Sequence, residues 1–163
     1  MALIFPHFDY CSYAIDVLSK SQYDILQKLQ NSCVRCVHQS RLRDHVTPLS
    51  LSLGWLSIKN RRLVNSLCCI FSLLDTDKPR YNKDKIALHV NPQPMRIWEK
   101  KLVISRHKSS AECGKSFFVS SIIEWNSLPL KFRQSESLDT FKHQIFAHFL
   151  TLERSRSGLP AKL

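Results

Sequence analysis

Cys33, Cys36 and His38 come closest to the spacing of a known chemical site. The pattern C-x-x-C-x-H supplies three of the four ligands that a structural zinc site needs, and no second C-x-x-C or H-x-x-x-H pair follows it. Cys33 also falls on the apolar stripe of a predicted helix, where a buried thiol packs like a small hydrophobic side chain. We therefore favour core packing over zinc and predict no metal site and no cofactor.

Acidic residues are too scattered to predict an active site. None of the 13 Asp and Glu residues is adjacent to another, so the Asp-Asp pair that holds metal ions in many polymerases is absent. Asp75 and Asp77 could bind Mg²⁺, but two short acidic residues after a helix are more typical of a turn. Neither GxGxxG nor GxxxxGK[ST] occurs. We predict that the chain is not an enzyme.

Positive charge is the strongest compositional signal. The chain has 24 Lys and Arg residues, a net charge of +11 and a pI near 9.6, with 44% hydrophobic and 23% charged residues. This composition is typical of a globular protein with a polyanionic partner, either nucleic acid or an anionic membrane surface. We predict weak, salt-dependent binding of RNA or DNA.

Two basic clusters are the candidate binding residues. Lys59, Arg61 and Arg62 fall at the start of a predicted helix, where the helix dipole disfavours cations, so acidic neighbours or a bound phosphate must compensate. In the second cluster, basic residues interleave with an aromatic residue, which suits backbone contact with base stacking, although a solvated loop remains the alternative. Its members are Arg96, Trp98, Lys100, Lys101, Arg106 and Lys108.

The predicted fold is mainly α, a small helical domain with a long irregular middle segment. Only three glycines occur, which argues against a hairpin-rich β protein. The apolar periodicity and capping residues predict helices at about 8–18, 22–37, 47–54, 59–74, 117–125 and 137–152. We predict a thumb-like helical part at 1–77, a loop-rich segment with C-terminal helices at 78–153, and a frayed basic tail at 154–163.

Some packing details follow from the same patterns. Leu26, Leu29, Cys33 and Val37 form the expected buried stripe of the second helix. Trp55 and Trp125 lie among Leu and Ile residues and are predicted to be core residues rather than stacking platforms. Residues 78–114 are read as a loop with one short strand at 102–105.

No leader peptide or membrane span is predicted. Residues 1–10 lack a basic n-region, and the longest uncharged runs fall short of the roughly 18 to 20 residues that a spanning helix needs. We therefore expect an intracellular protein without a membrane partner, whose six cysteines are reduced.

Seven stretches taken in order resemble the C-terminal region of LINE-type (non-LTR) retrotransposon reverse transcriptases, especially jockey-like elements. The resemblance covers about residues 3–150. It rests on Phe5-Pro6-His7-Phe8-Asp9-Tyr10-Cys11, Lys28-Leu29-Gln30-Asn31 with Val34-Arg35, His45-Val46-Thr47-Pro48-Leu49, Leu53-Gly54-Trp55-Leu56 with Arg61-Arg62, Ser116-Phe117-Phe118-Val119, Trp125-Asn126-Ser127-Leu128-Pro129, and Ser137-Leu138 with Phe141-Lys142.

The resemblance implies a helical thumb and extension that helps to hold template and primer. In that family the palm and its catalytic aspartates lie upstream, so their counterparts would precede Met1, and the chain would be a truncated reading frame. The expected function is that of a non-catalytic fragment of an RNA-directed DNA polymerase that binds template and primer through its basic residues. The alternative is a protein-interaction fragment that packs on upstream polymerase domains of the same element.

Overall fold

The computed structural model describes residues 5–10, 19–76, 87–88, 101–103 and 117–158. Within these ranges the chain is mainly α, as predicted. The helices are α1 (Phe5–Asp9), α2 (Lys20–His38), α3 (Val46–Ser52), α4 (Ile58–Thr76), α5 (Phe117–Ser127), α6 (Leu130–Arg133) and α7 (Leu138–Arg156). Two short strands, β1 (Ala87–Leu88) and β2 (Leu102–Val103), pair in antiparallel register, with Ala87 opposite Val103 and Leu88 opposite Leu102.

The chain divides into two compact units. Unit 1 combines Met1–Arg62 with Ile145–Leu163, and unit 2 is Leu63–Gln144. This division differs from the predicted boundaries at 77 and 153. Composition marks loops and linkers along the chain, whereas the return of the C-terminal segment to unit 1 depends on long-range contacts that have no local signature.

The second helix is bounded by polar side chains. Ser19 is its N-cap: Ser19 Oγ accepts a hydrogen bond from Gln22 N at 3.4 Å, and Gln22 Oε1 accepts one from Ser19 N at 2.8 Å. This reciprocal pair is a capping box and supplies partners for otherwise unpaired amides. The helix ends at His38, and the C-cap residue Gln39 has a left-handed φ of 52°.

The predicted apolar stripe of α2 is wrong. Leu29 and Val37 are 54% and 51% exposed, while Gln30 and Val34 are buried. Gln30 Nε2 donates to Leu56 O at 2.7 Å, so that a fixed backbone acceptor compensates for burying an amide. The three-four spacing of apolar residues predicted the helix correctly. It predicted the wrong buried face, because the side that is buried includes the polar residue Gln30.

The third helix starts earlier than its capping residues suggest. The sequence predicts a helix from about residue 47, but the N-cap is His45 and Val46 is the first helical residue. Pro48 is still tolerated, since amides of the first helical turn need no intrahelical partner. The chain leaves the helix through Gly54, whose φ of +68° is strained for other residues.

The first predicted helix is described only in part. The structure places α1 at Phe5–Asp9, and residues 11–18 of the expected helix lie outside the described ranges. In unit 1 the ring of Phe5 meets that of Trp55 edge-on, with centroids 4.6 Å apart. Trp55 is 2% exposed, which confirms its assignment to the core.

In unit 2 an aromatic cluster forms the core. Phe71 stacks on Phe141 with centroids 4.6 Å apart, and Trp125, which is fully buried as predicted, lies 5.7 Å from Phe141. Beside the cluster, Asn126 Oδ1 accepts from Leu102 N at 3.0 Å and Asn126 Nδ2 donates to Leu102 O at 2.9 Å. The asparagine thereby pairs with the backbone of β2 as a neighbouring strand would.

The last helix begins where its capping residue predicts. Thr140 N donates to Ser137 Oγ at 3.2 Å, the bond expected of an N-cap serine. At its other end α7 continues through Arg154 to Arg156 instead of fraying at 154.

Candidate nucleic-acid interface

The three basic residues at the start of α4 have different surroundings. Lys59 is exposed. Arg61 forms a bidentate ion pair with Asp9, at 2.7 Å from Nε and 2.6 Å from Nη2, and its guanidinium lies 3.8 Å from the centre of the Phe5 ring. Arg62 is 4% exposed and lies over the ring of Tyr23 at 4.9 Å.

Two of the three residues predicted to contact phosphate already have partners within the protein. An acidic neighbour, Asp9, satisfies the charge of Arg61, which was one of the two compensations considered. Burial against an aromatic ring withdraws the head group of Arg62 from solvent. Lys59 therefore keeps the exposure that a phosphate contact requires, and Arg61 and Arg62 act within unit 1.

The second predicted cluster is described at one residue. Lys101 is exposed and directly precedes β2. The other members lie outside the described residues, namely Arg96, Trp98, Lys100, Arg106 and Lys108.

A polar network holds the beginning of α4. Ser57 N donates to Glu153 Oε1 at 3.0 Å, and Ser57 Oγ donates to the same oxygen at 2.5 Å. Asn60 Nδ2 also donates to Glu153 Oε1, at 2.5 Å. Ile58 N donates to Gln27 Oε1 at 3.0 Å. A carboxylate and an amide oxygen therefore satisfy amides at a helix N-terminus, where negative charge is favourable.

This network forms one wall of a cleft in unit 1. The cleft has a volume of about 530 Å³, and residues of α2, α3, the start of α4 and the end of α7 line it. Most of its lining residues are uncharged polar residues, although apolar atoms form the larger part of the exposed wall, and Glu153 is the acidic residue of the lining. Lys59 and Arg156 contribute the positive charge, and both are exposed.

Several polar groups of the cleft are available to a ligand. Gln27 uses its amide fully, because Nε2 donates to both Gln30 Oε1 and Asn31 Oδ1 at 3.0 Å while Oε1 accepts from Ile58 N. By contrast, Asn31 Nδ2 and Asn60 Oδ1 form no hydrogen bond with any residue that the structure describes. The cleft thus presents a donor, an acceptor and two cations.

The sequence analysis missed Arg156 and the amides of the cleft. Arg156 had been assigned to a frayed tail, so its place in the last turn of α7 was not expected. A usable signal existed in α2, where Gln27, Gln30, Asn31 and Val34 follow the same three-four spacing as an apolar stripe. Such a row of amides indicates a buried or ligand-facing polar surface.

The described cysteines are free thiols. Cys33 is half-buried, and Cys36 and His38 are exposed. In the part of the chain that the structure describes, no group of three His, Cys, Asp or Glu side chains is placed to hold a metal ion. In unit 2, burial raises the pKa of Cys68 to about 11, and burial also raises that of Cys69. Raised pKa values disfavour the reactive thiolate form.

None of the described helices is long and apolar enough to cross a membrane. Comparison with protein-family models, curated proteins and solved structures found no match to the chain.

Proposed function

We propose that the chain is a non-catalytic fragment that binds single-stranded RNA or DNA through the cleft of unit 1. The observation that carries the proposal is the pair of exposed cations, Lys59 and Arg156, on a cleft whose other lining residues are mostly uncharged polar residues. Cations at this position contact phosphates, and the net charge of +11 attracts a polyanion over a longer range.

The uncharged groups of the cleft suit the bases of a single strand. Asn31 Nδ2 is a donor and Asn60 Oδ1 is an acceptor, and both residues line the cleft of about 530 Å³. Unpaired bases expose hydrogen-bonding edges that an amide reads, whereas a duplex hides them. Single strands are therefore expected to bind more tightly than duplexes of the same length.

Fluorescence anisotropy with a labelled single-stranded oligonucleotide tests this proposal. Affinity should fall with salt, with a slope near −0.7 per neutralised phosphate. Lys59→Ala with Arg156→Ala removes two contacts, so the slope should become shallower by about 1.4 and all sequences should bind more weakly.

The matched control removes the same charge elsewhere in unit 1. Lys20 and Arg43 are exposed and do not line the cleft. Lys20→Ala with Arg43→Ala should change affinity and slope much less than the cleft pair. Equal losses in the two double variants would mean that general basicity, and not the cleft, binds the nucleic acid.

We further propose a retrotransposon origin, supported by the ordered resemblance to the C-terminal region of LINE-type reverse transcriptases. The test is the genomic DNA upstream of the Met1 codon. A reverse-transcriptase palm in that DNA, in frame or displaced by a frameshift, is the expected result. Upstream DNA without any such sequence would contradict the proposal.

The second candidate function is protein interaction, favoured by the outer side of α2. Ile25 and Leu29 are 63% and 54% exposed and lie one turn apart on the same side of that helix, and Val37 near its end is 51% exposed. Apolar side chains grouped in this way are typical of protein contact surfaces. Apolar association is not weakened by salt, so a titration in sodium chloride separates this function from nucleic-acid binding.

A further inference from the structure

Unit 2 contains a buried arginine, Arg133, that does not belong to the cleft. Arg133 is the last residue of α6 and is 5% exposed. Its Nε and Nη1 atoms are enclosed and have no hydrogen-bond partner among the residues that the structure describes. Of the three guanidinium nitrogens, only Nη2 is not enclosed in this way.

Burying an arginine in this position costs free energy, because its charged group is removed from water. The guanidinium stays charged in proteins, so it cannot escape the cost of burial by losing its proton. A buried charge is tolerated when a counterion and hydrogen-bond acceptors accompany it. Arg133 has five N–H donors and requires an acceptor for those that water does not reach.

The described acidic residues of unit 2 do not supply that acceptor. They are exposed, and none forms an ion pair with Arg133 within the described part of the chain. These residues are Asp75, Glu124, Glu136 and Asp139. The charge of Arg133 thus lacks a protein counterion among them.

We propose that Arg133 binds a phosphate group, supplied either by a nucleic-acid backbone or by free inorganic phosphate. A phosphate oxygen accepts charge-assisted hydrogen bonds from a guanidinium, and the two N–H groups of Nη2 are the donors of Arg133 left open to such a contact. Phosphate is favoured over a carboxylate because basic residues outnumber acidic ones in unit 2, and inorganic phosphate carries more negative charge than a carboxylate. Lys131, exposed on the same short helix, adds to the local positive charge.

Thermal melting of the full chain tests the site. Inorganic phosphate, compared with sodium chloride at the same ionic strength, should raise the Tm of the wild type by roughly 3 to 6 °C at about ten times the Kd. Arg133→Met should abolish this rise. In chloride alone the variant should melt at the same temperature as the wild type or higher, because an apolar side chain of similar length removes an uncompensated charge.

Lys131→Met is the matched control, since it removes one charge from the same helix at an exposed position. It should keep the phosphate-dependent rise. An equal rise in Arg133→Met would overturn the proposal, and so would a marked loss of Tm in chloride, which indicates a structural partner. An equal rise in acetate would also overturn it, because the site would then bind carboxylates.

A measurement on the unmodified chain covers the case in which Arg133→Met does not fold. The Nε–H resonance of Arg133, observed by NMR with ¹⁵N-labelled arginine, should shift and saturate as inorganic phosphate is added. No shift contradicts the proposal. A short single-stranded oligonucleotide that shifts the same resonance at lower concentration assigns the phosphate to a nucleic acid, and an oligonucleotide without effect assigns it to free phosphate. This readout does not depend on the cleft of unit 1.

Discussion

Individual arginines contribute to this molecule in different ways. Arg61 is held by Asp9 and Phe5, and Arg62 is buried over Tyr23. Arg156 is exposed at the cleft. All add equally to the net charge and hence to long-range attraction. Only exposed heads can form the short-range contacts that determine where a polyanion binds.

Thiol reactivity is a prediction at the residue scale. Cys36 is exposed, whereas the half-buried Cys68 has its pKa raised from 9.0 to about 11 by burial, with a smaller opposing effect of Lys142. At pH 8 iodoacetamide should therefore label Cys36 much faster than Cys68, as measured by peptide mass spectrometry. Equal labelling rates in the folded protein would contradict the burial of Cys68.

The raised pKa of Cys68 also predicts how the stability of the fold changes with pH. The thiol form of Cys68 is favoured in the folded state, because its folded pKa of about 11 exceeds the ordinary value of 9.0. The stability that this difference in pKa contributes is fully present below pH 9.0 and is lost as the pH rises towards 11. A Cys68→Ser variant should show a shallower fall in stability over this range, as followed by urea denaturation at fixed pH values. Identical pH profiles would contradict the assignment.

Among the helices, α4 is held at its N-terminus by a residue that is distant in the sequence. Glu153, on α7, accepts hydrogen bonds from Ser57 and Asn60, and it places a carboxylate at the positive end of the helix dipole. No local capping box is needed when a distant residue supplies the acceptor. The cations of the first turn are consequently tolerated without a bound anion.

Replacing Glu153 tests this dependence. Glu153→Ala should lower the free energy of unfolding by about 1 to 3 kcal/mol, since Ser57 N and Asn60 Nδ2 lose their acceptor. Glu124→Ala removes an exposed carboxylate from α5 and should change stability by less than about 0.5 kcal/mol. Chemical denaturation measures both. A Glu153→Ala effect as small as that of the control would show that the network contributes nothing to stability.

Helices were more predictable than the faces they bury. The apolar periodicity of residues 59–74 predicted α4, and the side of that helix with Leu67 and Ile70 is buried, because hydrophobic burial determines its packing. In α2 the buried side contains Gln30, which is satisfied by Leu56 O, a partner that lies 26 residues away. The candidate site was predictable only at Lys59, since the cleft also requires Arg156 and the amides of α2.

In the whole molecule, the two units differ in how many segments of the chain form them. Unit 2 is one segment, whereas unit 1 needs residues from both the first and the last part of the chain. Long-range closure of this kind costs entropy before its contacts form. The stability of unit 1 therefore depends on the Ile145–Leu163 segment.

A shortened chain tests this division. A protein ending at Gln144 should lose amide protection in α2 and α3, which belong to unit 1, and retain it around Phe71 and Trp125. Hydrogen exchange with mass spectrometry measures both regions. If protection falls equally in the two, the units do not fold independently. If α2 stays protected, the segment after Gln144 is not needed for unit 1.

The contact between Ser57 and Glu153 also orders events during synthesis on the ribosome. Residue 57 emerges long before residue 153, so the start of α4 must wait for its acceptor while almost a hundred further residues are translated. During that interval the whole of unit 2 becomes available to fold, whereas in unit 1 Ser57 and Asn60 lack the acceptor that Glu153 later supplies. Nascent chains should therefore acquire their native structure from the middle of the sequence outward, with the N-terminal segment completed last.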